Sequence, residues 1–224
     1  MILVVASSAG ELQGAQQFPV EEGQVFRRLP DGRPLVAVSV GVGKVQAAIG
    51  TFEAIKTYKP ERVFGIGSCC ALRENIGLGA LIIPTHLLQY DIDLRRFGLP
   101  RGTVYGNNGQ KVGPLSIDSS IVMHANPAET LAGQPVLHNA TIGSADRFLT
   151  PEDRISHAFL VEELHVDAVD MESHAMVAAA QRAQTPISII RAVSDVWTGQ
   201  RVSSLPRFLT ESSHAIFALI AKCF

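Results

Sequence analysis

The sequence predicts an α/β fold, a single-domain three-layer α/β/α arrangement with a central mixed twisted sheet flanked by helices. Three observations carry that expectation. Short β-branched runs alternate with longer helical patterns along the chain. Several of those runs are apolar at nearly every position, as strands buried on both faces are. The 224 residues show no shift of composition that would split them, so one domain over 1–224 is the default.

The expected strands are Ile2–Val5, Leu35–Val40, Arg62–Ile66, Leu81–Pro84, Leu87–Asp91, Pro135–Ile142, Ala168–Val169 and Ile187–Val193. After Gly41–Gly43, Val45, Ile49, Phe52 and Ile55 recur at helical spacing, and their shared face is expected to back the sheet. Thr150-Pro151-Glu152-Asp153 reads as a helix start, with a hydroxyl cap, a proline in the first turn and two acids at the positive end. That helix is expected to run through Phe159 and Leu160 to about Leu164. A helix from about Met171 is rich in small residues (Ala175, Ala178, Ala179, Ala180, Ala183), which allow close approach, and Ile216, Leu219 and Ile220 mark a closing helix. Asn107-Asn108-Gly109 reads as a surface loop.

Composition narrows the partners. A formal net charge of −2, from 19 Lys+Arg against 21 Asp+Glu, gives no basic field for nucleic acid or an anionic membrane. The apolar run Ile2–Ala6 is too short for a signal-peptide core or a membrane span. The 3 cysteines are an odd number, and Cys69 and Cys70 are adjacent, so a reducing cytoplasmic setting is expected. No HExxH, paired CxxC, Walker loop or GxGxxG frame is present, so neither a metal nor a cofactor is expected.

Glu11, Asp170, Glu172 and Asp195 each fall at or just beyond the carboxyl end of an expected strand, where open α/β sheets build their sites. Carboxylates beside buried strands are costly unless paired or used, so they are the candidate functional groups. The competing reading is that they are helix caps or ion pairs, with Arg191 the natural partner on the same strand as Asp195.

The arrangement resembles a known superfamily. Val169-Asp170-Met171-Glu172 before an alanine-rich helix, followed by Arg191-Ala192-Val193-Ser194-Asp195, is similar to the nucleoside phosphorylases and nucleosidases. Ser39-Val40-Gly41-Val42-Gly43-Lys44-Val45 resembles the family's SGIGKV segment, Gly65-Ile66-Gly67-Ser68 its GSAGG turn, and Ser144-Ala145-Asp146-Arg147-Phe148-Leu149 its SGDxFI segment. Tyr90-Asp91-Ile92-Asp93-Leu94-Arg95-Arg96-Phe97-Gly98 looks like the YHDxDxxxFG stretch of the 5′-methylthioadenosine/S-adenosylhomocysteine nucleosidases.

That resemblance implies hydrolysis of the N-glycosidic bond of a small 5′-modified adenosine, without a cofactor. Such chemistry needs an acid for the leaving purine, a clamp for the ribose and a carboxylate for the attacking water. By resemblance Asp195 is the acid at purine N7, oriented by Ser194. Glu172, above Met171, holds the ribose hydroxyls, and Glu11 holds the water with help from Ser68. Phe148 stacks on the adenine and Leu149 meets its edge through the backbone. In a homodimer, Leu94 and Phe97 reach the 5′ group in the neighbouring subunit.

Cys69-Cys70-Ala71 departs from the family's Ala-Gly-Gly after Ser68. Phosphorylases of the superfamily usually carry an arginine where this chain has Gly65, which favours water over phosphate; Arg73 and Arg147 are the arginines that would reverse that choice. Asp195 favours a 6-amino over a 6-oxo purine. The alternatives are a futalosine-type hydrolase, a phosphate-dependent purine nucleoside phosphorylase, and a nucleoside-binding protein without catalysis.

Overall fold

The computed structural model describes residues 1–20, 26–124, 133 and 135–224. Its centre is a mixed sheet built on β1 (Ile2–Ala6), β3 (Pro34–Ser39), β4 (Arg62–Ala71), β5 (Leu81–Gln89), β9 (Val136–Ser144), β10 (Ala168–Asp170) and β11 (Ile187–Val196). Short strands β2 (Arg27–Arg28) and β8 (Leu115–Ser116) pair with β3 and β5. The order is β10-β9-β5-β11-β4-β1-β3-β2, with β11 parallel to β4 and antiparallel to β5. Because β10 also pairs with β4, five strands close a circuit on themselves.

Alternation along the central strands explains the layers. Ile2, Val4, Ala6, Ile190 and Ala192 enter one core cluster with Phe208, Ile216, Phe217 and Ile220 of α5 (Leu205–Lys222). Leu3, Val5, Ile187 and Ile189 enter another with α1 (Lys44–Tyr58) and α4 (Ser173–Arg182). A period of two with both faces apolar puts helices on both sides of the sheet, as expected. Among the described residues, no helix is long and apolar enough to cross a membrane.

Three expectations need correction. The inward face of α1 is Ala47, Thr51, Ala54 and Ile55, whereas Val45 is 64% and Ile49 52% exposed. The reason is close packing: a Cβ on Gly50 would lie 2.8 Å from the Cβ of Val40, so small side chains face the sheet there and Ile55 is the one large apolar residue of the inward face. The two strands expected on either side of Thr85-His86 are one strand, β5, whose register slips at Pro84 and again before His86. Thr150 opens only a 3-10 turn, Pro151–Asp153, and the next helix is the short α3 (Phe159–Glu162). The expected surface loop at Asn107-Asn108-Gly109 is present, as the tip of a hairpin between β6 (Val104–Tyr105) and β7 (Lys111–Val112).

Candidate active site

The ends of β1, β4, β10 and β11 surround one cleft of about 610 Å³, including its open mouth. Glu11, Ser68, Phe148, Leu149, Met171, Glu172, Ser194 and Asp195 all line it, so eight of the ten expected site residues meet in one place. Leu94 and Phe97 do not line it: Leu94 precedes and Phe97 ends the 3-10 turn Arg95–Phe97, and Phe97 is 72% exposed.

Glu11 lies in the 3-10 helix Ala9–Gln17 that follows β1. Its Oε2 accepts from Ser7 Oγ at 2.6 Å, from the Ser8 amide at 3.0 Å and from Ser8 Oγ at 3.2 Å, while Oε1 accepts from the Ser68 amide at 3.2 Å. Gly67 makes that last contact possible, since a Cβ there would stand 2.8 Å from Glu11 Oε1 and 2.0 Å from a guanidinium nitrogen of Arg191. A carboxylate with four donors is fixed in position and retains acceptor capacity toward the cleft.

Glu172 is the N-cap of α4 and sits across from the first turn of α1. Its Oε1 accepts from the Gly43 amide at 2.9 Å, and the next amide, Lys44, donates to Asp146 Oδ1 at 2.7 Å. Gly43 has φ 86 and a Cβ would crowd Asp146 at 3.1 Å, so the glycine pair that reads as a tight turn also brings backbone amides to the site. Burial raises the Glu172 carboxyl above the ordinary range, and the charges of Asp170 and Glu11 push the same way. Arg191 and the Gly43 amide offset part of this.

Asp170 is different. Its Oδ2 pairs with Arg191 Nε at 2.8 Å, its Oδ1 accepts from Ser144 Oγ at 2.6 Å, and both oxygens accept from the Ser173 amide. Arg191 in turn donates to Ser173 Oγ and to the carbonyl of Ile66. The pair is buried, with side-chain exposures of 0% and 1%. Arg191 therefore serves Asp170 beneath the cleft and not Asp195: four residues apart, the two would share a face of a regular strand, and the bulge between Val193 and Asp195 separates them.

That bulge places Asp195. Val193 pairs with Cys69 and Asp195 with Cys70, leaving Ser194 as the extra residue. Ser194 Oγ then donates to Asp195 Oδ1 at 2.7 Å. The carboxylate lies at the end of the cleft flanked by Leu149 and by Phe148, whose ring is 58% exposed.

Ser7, Val42, Cys69, Cys70, Arg147 and Val169 also line the cleft and were not singled out as site residues from sequence. Ser7 and Val42 adjoin segments already flagged, and that adjacency is the only signal they carry. The reading of Gly65 as a missing anion-site arginine also needs correction. Its missing side chain would point at Ile189 Cδ1, 2.5 Å away, and Met176 Sδ, 3.1 Å away, so this position belongs to the core and tells nothing about anions in the cleft. Arg73 is paired with Asp167 away from the cleft. Arg147 lines the cleft but is bound to Asp153.

The fold and this geometry define an α/β protein with an acidic, nucleoside-sized cleft at its strand ends. A family model described as the phosphorylase superfamily matches residues 2–224, and the chain belongs to that superfamily. It is 27% identical over 186 residues to the 5′-methylthioadenosine/S-adenosylhomocysteine nucleosidase of Bacillus licheniformis, covering 82% of this chain and 77% of that protein. It is also 27% identical over 203 residues to the Haemophilus influenzae protein of the same name, covering 91% and 86%. The fold superposes with a TM-score of 0.81 on the Neisseria meningitidis nucleosidase solved with methylthio-immucillin-A, at 26% identity over 99% of this chain and 97% of that one. Futalosine hydrolase of Helicobacter pylori shares the fold at a TM-score of 0.82 and 20% identity, over 99% and 97% of the two chains.

Proposed function

We propose that this chain is a single-domain, cytoplasmic N-glycosidase that uses water to release adenine from 5′-modified adenosines such as 5′-methylthioadenosine and S-adenosylhomocysteine. One observation carries the choice of nucleophile: Glu11, Glu172 and Asp195 line the cleft above the matched Asp170–Arg191 pair, and Arg147, itself paired, is the one cationic side chain lining it among the described residues. A phosphate dianion would meet a field of its own sign, whereas a neutral water is favoured by a fixed carboxylate. The names of the related nucleosidases and the methylthio-immucillin-A bound to the neisserial protein support the same substrate class.

In this reading Glu11 takes a proton from water held against the Ser68 turn, and the water oxygen attacks C1′. The C1′–N9 bond breaks with its electron pair going to the purine, and Asp195 donates to N7 so that adenine leaves neutral. Ser194 orients Asp195, which also accepts from the 6-amino group. Glu172 accepts from the ribose hydroxyls and offsets the positive charge growing on the sugar. Phe148 stacks on the base, the Leu149 backbone meets its edge, and Met171 supports the ribose.

The site is completed in a homodimer. Leu94 and Phe97 of the partner subunit cover the 5′ substituent, and the exposed stripe of Val42, Val45 and Ile49 on and before α1 supplies apolar surface for the contact. The three free cysteines suit a reducing compartment. The test is to incubate the protein with methylthioadenosine, S-adenosylhomocysteine, adenosine, inosine and futalosine and to identify the released base. Adenine from the first two at the highest kcat/KM is expected; hypoxanthine from futalosine as the leading product overturns the proposal.

A further inference from the structure

Cys70 stands beside the proposed acid. It pairs in register with Asp195 across β4 and β11, and both residues line the nucleoside cleft and the narrow extension behind it that ends at Trp197 and Arg201. Side chains paired across neighbouring strands point to the same face of the sheet. The polar contact that the structure gives the Cys70 thiol, to the Ala71 carbonyl, is long at 3.7 Å. Cys70 is 7% exposed.

We infer that Cys70 is a positioning residue: its S–H donates to the Asp195 carboxylate and, together with the Ser194 hydroxyl, fixes the plane in which that carboxylate meets the purine. Ser194 approaches from the same strand and Cys70 from the neighbouring one, so the two donors restrain rotation about the Asp195 side-chain bonds from different sides. Each carboxylate oxygen accepts more than one hydrogen bond, which leaves capacity to accept from the 6-amino group while the acid proton is delivered to N7. The thiol stays protonated and acts as a donor, because burial first, and the Asp195 charge next, push its ionisation far above the ordinary thiol range. Nucleophilic chemistry at this sulfur is correspondingly suppressed. The inference rests on the proposed role of Asp195, and its test separates the two.

The first readout does not depend on activity. The S–H stretching band assigned to Cys70, by its loss in Cys70→Ala, should lie at lower wavenumber in the parent protein than in Asp195→Asn, where a weaker amide acceptor replaces the carboxylate. An unmoved band overturns the inference even if no nucleoside is cleaved.

The second readout is kinetic. Cys70→Ala should lower kcat by about three- to tenfold, the worth of one modest hydrogen bond, with a smaller change in KM. Cys70→Ser, which keeps a donor, should recover most of the loss, and Cys70→Ala should add nothing in the Asp195→Asn background. Equal kcat in Cys70→Ala and the parent protein, or equal impairment of the Ala and Ser variants with lowered melting temperatures, contradicts the positioning role. Absence of base release by the parent protein instead counts against the proposed function, with the band shift still deciding whether the thiol and carboxylate are bonded.

Discussion

Asp170 and Glu172 are two residues apart, both buried, and both at the end of β10, yet they occupy opposite electrostatic situations. Asp170 meets a guanidinium, two serine hydroxyls and a backbone amide, so its charge is matched. Glu172 has one amide at 2.9 Å and carries the strain of burial and of two like charges nearby. The matched carboxylate belongs to the floor that holds β10, α4 and β11 together. The undermatched one faces the cleft with bonding capacity to spare, the condition for gripping a ligand. What separates the two is the counter-charge: Asp170 pairs with the buried Arg191, whereas Glu172, like Glu11 with its four neutral donors, is hydrogen-bonded only by uncharged groups.

Breaking the floor should have the largest effect. Asp170→Asn leaves Arg191 without its counter-charge in a site of 0% exposure, and loss of one partner of such a pair costs about 3–5 kcal/mol. A marked fall in melting temperature is expected. A variant as stable as the parent protein would remove the distinction between floor and cleft.

Next come Asp195→Asn and Glu11→Gln, which should keep their melting temperatures and lose turnover by a factor on the order of 10² to 10⁴, the range for a positioned acid or base. Glu172→Ala should weaken binding and turnover together, because its bonds to the sugar exist in the ground state and tighten toward the transition state. Well-folded Asp195→Asn protein with near-normal kcat would place the chemistry elsewhere.

The smallest effect sharpens the comparison through pH. Burial chiefly, with Asp170 and Glu11 adding to it, raises the Glu172 carboxyl, and the ionised form is the one that accepts from ribose hydroxyls. Affinity for a methylthio-nucleoside analogue should therefore fall as pH drops through that raised range. Glu11→Gln removes one raising charge, so the acidic limb of the affinity profile should move to lower pH. A shift to higher pH, read by calorimetry on both proteins, would contradict the assignment.

Much of this was legible in the sequence where physics is local. Continuous apolar runs such as Ile2–Val5 mark strands because both faces of the sheet are covered, and acids just past those runs mark the cleft. Helical spacing of large apolar residues predicts the inward face of α1 for Ile55 but not for Val45 and Ile49, which are exposed. Here Ala47 and Ala54 are buried beside Ile55, and where α1 runs against Val40 there is room only for small side chains. Pro84 reads as a strand end because it cannot donate to the ladder, but β5 absorbs it with a register slip. The donors around Glu11 and Glu172 are largely backbone amides, of Ser8, Ser68 and Gly43, and every non-proline residue has one, so nothing in the sequence singles them out. The Cys70–Asp195 pairing depends on the bulge at Ser194, a feature of register that strand propensity does not encode.

The central claim is that the cleft activates water and repels phosphate, and it is tested most directly by identifying the sugar product. Methylthioadenosine should be cleaved at the same rate in phosphate-free buffer and in buffered phosphate, yielding adenine and free 5-methylthioribose in equal amounts. A rate that depends on phosphate, with 5-methylthioribose 1-phosphate as the main product, would contradict the account.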